Sequence, residues 1–236
     1  MCMNRTNLLN NNQELLPWVW AIQLQLNLLD QNDALWIEEV GGENGWSDES
    51  FYNFLSSYSL LRGKRGAVLS KSENGIEKSR NILSDICNKH FSDDLSNEKF
   101  IVDVKEKWRA ADDEFAAWVS NKGGPGAANN QMFMPSALMK IFWYFHPARL
   151  TMYDSLACAG LRVVDNGEVV NPDNFLERFC QFHDKTCVIR NRALEYFDFQ
   201  YPYVYRITDK YLWLMGNQNK DRILMSYQAS IRLQGQ

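Results

Sequence analysis

The sequence predicts an all-α fold. Three observations carry this: apolar residues recur at spacings of three and four, Pro and Gly sit where helices start and stop, and no convincing pair of strands appears. Hydrophobic residues make up 45% of the 236 residues, and eight are Trp, enough to fill a core and to set disorder aside. One single domain over 1–236 is expected, with an N-terminal lobe over about 14–95 and a C-terminal lobe over about 96–236.

Leu15 to Asp30 carries two signals. Trp18, Trp20, Ile22, Leu24, Leu26 and Leu28 alternate like a strand, but the run is long and Pro17 suits a first helical turn, so length decides for helix. Ser47 to Leu61 and Gly75 to His90 read as further helices. Between them, Arg62-Gly-Lys-Arg-Gly66 is the densest basic cluster in the chain, read either as a solvated turn or as a phosphate contact. The clearest helix is Ile101 to Trp118, whose Ile101, Val104, Trp108, Ala111, Phe115 and Trp118 share one face. Gly123 stops it, and a Gly/Asn loop runs to Asn130. Pro135 opens a short helix to His146, ended by Pro147. Asp154 to Val163 is next, with Asp154 at the N-cap position. Asn171-Pro172 then caps a helix with Phe175, Leu176, Phe179 and Phe182 inward, and the last clear helix runs from Pro202 to Met215, closed by Gly216.

Bulk properties exclude several classes. No apolar run reaches the roughly 18 residues of a membrane span. Met1 to Gln13 is Asn-rich and lacks a signal peptide's apolar core, so a cytoplasmic protein is expected, and a monomer. The five cysteines and three histidines show no zinc spacing, so neither a metal nor a cofactor is expected. Clustered carboxylates and a phosphate-binding Gly-rich loop are both lacking, which argues against a nuclease or phosphotransferase. The net charge of -4 argues against non-specific coating of nucleic acid, while leaving room for a local basic face.

The candidate site lies between 122 and 163. Lys140 is the only charged residue between Met132 and Ala148, in an apolar helix expected to be buried. A buried Lys needs a partner or a cleft, unless its stem carries the charge out to solvent. Asp154 precedes Ser155-Leu-Ala-Cys-Ala-Gly160, small residues that allow another element or a ligand to approach closely.

The order of a Gly/Pro-rich loop, a short apolar helix, a Pro-containing turn, an Asp at a helix start and Arg162 eight residues on resembles the helix-hairpin-helix DNA glycosylases. Pro135-Ser-Ala-Leu-Met-Lys140 and Pro147-Ala-Arg-Leu-Thr-Met-Tyr-Asp154 look closest to the divergent, 8-oxoguanine-glycosylase-like members among bacterial and phage-defence proteins. The resemblance implies a glycosylase acting on a damaged or modified base, with hypermodified cytosine in phage DNA as the implied target and double-stranded DNA with a flipped base as the partner. It places the catalytic carboxylate at Asp154. Ser136 stands where bifunctional members carry a Schiff-base Lys, so a monofunctional enzyme is expected, with Lys140 one helical turn on in an orienting role. Gly123-Gly-Pro-Gly-Ala127 stands where the family's hairpin reads Leu-Pro-Gly-Val-Gly. Trp143, Tyr144, Tyr153 and Ser136 are candidates for the base pocket, against the alternative of core packing. Arg62, Lys64, Arg65, Lys122, Gly124, Gly126 and Arg149 are candidates for DNA contact. The rival reading is a non-enzymatic helical binding module of a defence or toxin system, in which Asp154 is only a cap.

Overall fold

The computed structural model describes residues 12–28, 33–41, 45–61, 75–91, 106–107, 109–111, 113–114, 117, 135–148, 150–165, 167, 169–197 and 201–234. Among them all regular secondary structure is helical. The helices are α1 (Leu16–Leu28), α2 (Ala34–Gly41), α3 (Asp48–Ser57), α4 (Gly75–Phe91), α5 (Pro135–Phe145), α6 (Ser155–Val164), α7 (Pro172–Lys185), α8 (Cys187–Leu194), α9 (Val204–Met215) and α10 (Lys220–Gln234). The chain forms two compact units, one of Met1–Gln31 with Thr151–Gln236 and one of Asn32–Leu150. The division therefore falls elsewhere than the expected boundary near residue 95. The cause lies in α1, whose partners α8, α9 and α10 come from the far end of the chain.

In the unit formed by the two chain ends, α1 buries Trp18, Val19, Ala21, Ile22 and Gln25. The strand-like alternation is thus an accident of composition, and the buried set follows helical period. Trp18 stacks on Tyr211 of α9, centroids 3.9 Å apart and planes at 13°. Helix α7 starts as its sequence suggests: Asn171 Oδ1 accepts from the Asn174 amide at 3.1 Å, and Asn174 Oδ1 accepts from the Asn171 amide at 2.9 Å. Its Phe175, Leu176 and Phe179 are buried. Gly216 closes α9 as expected, but α10 follows it, with Leu224, Tyr227 and Ile231 packed on the α1 cluster.

Helices α6 and α9 pack most extensively, and two glycines set their separation. A Cβ on Gly160 would meet Leu212 O at 2.0 Å, and one on Gly216 would meet Leu156 O at 2.0 Å. The small residues behind Asp154 thus admit another element of the same chain.

The other unit is built on aromatic rings. Ser47 caps α3 by accepting from the Ser50 amide at 3.1 Å, and Phe51 and Phe54 point inward. Trp46 lies 4.9 Å from Phe54 and 5.6 Å from Tyr144, centroid to centroid. Trp36 meets Phe54 and Tyr144 edge-on. Of the expected helix over 101–118, the described residues are helical, with Ala111 buried and Glu106, Arg109 and Asp113 exposed, as its stripe requires.

Candidate functional site

Asp154 follows the irregular Thr151–Tyr153 segment and, itself extended, stands at the N-cap of α6 at φ -147° and ψ 167°. Its Oδ1 accepts from the Ala157 amide at 2.7 Å, satisfying one of the amides that a helix start leaves without a partner. Asp154 is half-buried, and among the described residues no group donates to Oδ2. One oxygen is fixed by the helix, and the described residues leave the other available.

Three side chains lie around this carboxylate. Tyr153, half-buried, sets its ring edge-on to Phe175 at 4.9 Å, and its hydroxyl lies close enough to the Cys158 thiol for the two to affect each other's protonation. Burial pushes Tyr153 up to about 12 and Cys158 up to about 11; Asp154 pushes both the same way and Arg162 opposes it. Both therefore stay protonated at neutral pH. Cys158 is no ready thiolate nucleophile, and Tyr153 is no base. Arg162 is exposed, and its Nη2 donates to Val170 O at 3.4 Å. Within this cluster the carboxylate is the group suited to electrostatic work.

Behind α6, helix α9 carries an ion pair between Arg206 and Asp209, the two residues 1% and 0% exposed. Asp209 lies near enough to act on Cys158. Sequence reasoning did not single out this pair, although an Arg and an Asp three apart on one helix was the available signal.

The remaining candidates fall elsewhere. Trp143 and Tyr144 are 0% and 1% exposed, locked in the aromatic core of the Asn32–Leu150 unit. Tyr144 donates to Asp33 Oδ1 at 2.6 Å and shares a hydrogen bond with Tyr58. Burial holds its hydroxyl well above the ordinary tyrosine range. A ring without exposed surface cannot stack on an incoming base, so in this structure the base-pocket role of these two gives way to packing. Lys140 is half-buried rather than enclosed. Its Nζ donates to Ser136 Oγ at 3.3 Å and lies 5.8 Å from the Tyr58 ring centroid. Arg62, Lys64, Arg65, Lys122, Gly124, Gly126 and Arg149 lie outside the described residues. Among the described residues no three His, Cys, Asp or Glu side chains are grouped to hold a metal, and no helix is long and apolar enough to cross a membrane.

Fold and site define, over the described residues, an all-helical chain with a capped, half-buried carboxylate beside a protonated Tyr–Cys pair. No family model, curated protein or solved structure matches it.

Proposed function

We propose that the chain is a monofunctional DNA N-glycosylase and that Asp154 is its catalytic carboxylate. The observation that carries this reading is the two-sided environment of Asp154, with Oδ1 held by the Ala157 amide and Oδ2 left available by the described residues. Cleavage of an N-glycosidic bond develops positive charge on the sugar. A carboxylate fixed before the reaction stabilises that charge without reorganising, and it orients the water that adds to the anomeric carbon as the base departs. Tyr153, half-buried beside Asp154, is the aromatic candidate that keeps exposed surface. The substrate class, a modified base in double-stranded DNA with phage hypermodified cytosine foremost, follows from the resemblance of Pro147–Asp154 and Pro135–Lys140 to the helix-hairpin-helix glycosylases. Anti-phage defence follows from the same likeness.

A helical binding module is the second reading. The cap bond alone accounts for Asp154 at a helix start, and Trp143 and Tyr144 serve the core. One experiment separates the two. The purified chain is incubated with duplexes carrying different modified bases, and abasic sites are detected. Base release by the wild type and none by Asp154→Asn supports the enzyme; no release from any duplex, or equal release by the variant, removes it.

A further inference from the structure

A second polar cluster lies in the unit formed by the chain ends, at α7, α8 and α9. Arg190 of α8 is only 4% exposed. Its Nη1 donates to His183 O at 2.8 Å, meets His183 Nδ1 at 3.1 Å and reaches Thr208 Oγ1 at 3.3 Å. His183 is 6% exposed, bonded to Thr208 Oγ1 at 2.8 Å, and stacked on Tyr205 with centroids 4.2 Å apart and planes at 3°. Among the described residues the hydrogen-bond partners of the guanidinium are therefore His183 and Thr208, neither of them a carboxylate. Burial, reinforced by the Arg190 charge, holds His183 down at about 3, so the imidazole adds no charge of its own at neutral pH.

No described carboxylate lies within ion-pair distance of Arg190, and its Nε is buried without a hydrogen-bond acceptor. Asp184, exposed near the end of α7 and six residues before Arg190, acts on the Arg190 charge only from beyond that distance. The contrast with the same unit's Arg206 and Arg178 is sharp. Arg206 pairs with Asp209, and Arg178 bonds Asp165 Oδ2 at 2.5 Å. A buried guanidinium without a counter-charge is costly. Its orientation by three neutral groups costs further side-chain entropy. Such an arrangement suits a receptor whose anion arrives with a ligand, since a guanidinium fork matches phosphate oxygens.

We propose that Arg190, oriented by His183 and Thr208, anchors a binding site for a phosphate group. The site's chemistry stands independently of base excision. Assigning the phosphate to a DNA backbone rests on the glycosylase reading, whereas a free phosphorylated small molecule does not. Asp184 would weaken such a site by repulsion, so its removal is expected to strengthen it.

The test uses the full chain and inorganic phosphate. Thermal unfolding is followed against phosphate and against chloride at matched ionic strength, and the apparent phosphate affinity is read from the saturable rise in Tm. General salting effects of phosphate act on all variants alike and cancel in the comparison. Wild type is expected to show a saturable rise, Arg190→Met to lose about tenfold or more in affinity, and Asp184→Asn to gain. Asp184→Asn and Arg190→Lys keep the test decisive if Arg190→Met does not fold, Lys being expected to weaken binding through loss of the fork. An equal phosphate response in wild type and the Arg190 variants, or a weaker one in Asp184→Asn, overturns the proposal. A second arm measures duplex DNA affinity against salt. With phosphate binding present, a slope smaller by about one unit in the Arg190 variant assigns the site to the DNA backbone, and an unchanged slope assigns it to a free phosphorylated molecule. Base release is measured separately, so its failure leaves the phosphate result standing.

Discussion

Gly160 of α6 faces the backbone of Leu212 in α9 so closely that a Cβ would stand 2.0 Å from the Leu212 carbonyl oxygen, 2.7 Å from its carbon and 2.9 Å from its Cα. The obstacle is backbone, which no rotamer can relieve. Gly160→Ala is expected to destabilise by about 3 kcal/mol, at the upper end of ordinary overpacking. Gly216→Ala, whose Cβ would meet Leu156 O at 2.0 Å, should cost a similar amount, although its φ of -79° suits any residue. The double variant should cost less than the two together, because one forced separation of the helices relieves both clashes. Urea unfolding of the three variants checks this. Full additivity would show that the two glycines do not share one crossing.

Asp154 separates stability from activity. Asp154→Asn keeps an acceptor for the Ala157 amide and should unfold within about 0.5 kcal/mol of wild type, while Asp154→Ala should lose about 1 kcal/mol. Both should lose base release, by several orders of magnitude if electrostatic stabilisation dominates. Chemical denaturation beside an abasic-site assay reads the two effects. An Asn variant that excises at the wild-type rate reduces Asp154 to a cap.

Arg206 and Asp209 are both enclosed, so removing one takes a bonded opposite charge from the other where water cannot replace it. Asp209→Leu and Arg206→Met should each cost about 3–5 kcal/mol, and Arg206→Met/Asp209→Leu clearly less than their sum. A double-mutant cycle on unfolding free energies tests this. Additive losses would mean that the pair is not energetically coupled.

His183 makes stability depend on pH. Its folded value is about 3, below the ordinary 6.5, so the unfolded chain binds the extra proton between those limits. Its contribution is complete above about pH 6.5 and lost as pH falls towards 3, at up to about 1.4 kcal/mol per pH unit. Wild type should therefore lose about 2 kcal/mol between pH 6.5 and 5 from this group. His146, also held down by burial, adds with the same sign, so the informative quantity is the difference from His183→Gln, whose acid loss should be smaller. Parallel acid-limb slopes in the two proteins would remove His183 as the cause.

Lys140 decides between excision alone and excision with strand nicking. Its ammonium donates to Ser136 Oγ and lies against the Tyr58 ring, contacts that suit an oriented cation rather than a free amine nucleophile. Borohydride added during base release is expected to trap no protein–DNA adduct. An adduct that vanishes in Lys140→Ala would make the enzyme bifunctional.

The helices that the sequence made legible share one property: each buries a stripe of apolar residues and carries its own punctuation. Asp154 before Ser155, Asn171 before Pro172, Ser47 before Asp48 and Gly216 after Met215 all stand where the structure starts or stops a helix, because a cap is a local interaction between near neighbours. Helix α8 was illegible because its inward face carries Arg190, and a charge on the buried side breaks the apolar period. The α10 stripe of Leu224, Tyr227 and Ile231 is too narrow to stand out until α1 is seen against it. Likewise Asp154 and its Tyr153 neighbour are readable from adjacent positions, and the apolar run around Lys140 already marks the helix of Trp143 and Tyr144 for burial.

The sequence by itself determined the helical class, the capped start at Asp154 and the small-residue face behind it. Only the tertiary structure decided that α9 fills that face through Gly160 and Gly216, that α1 joins the C-terminal helices, and that Arg190, His183 and Thr208 meet. The physical reason is range. Capping and periodicity act over a few residues of chain, while a close helix crossing and a buried polar cluster join side chains distant in sequence, whose meeting depends on how every intervening element packs.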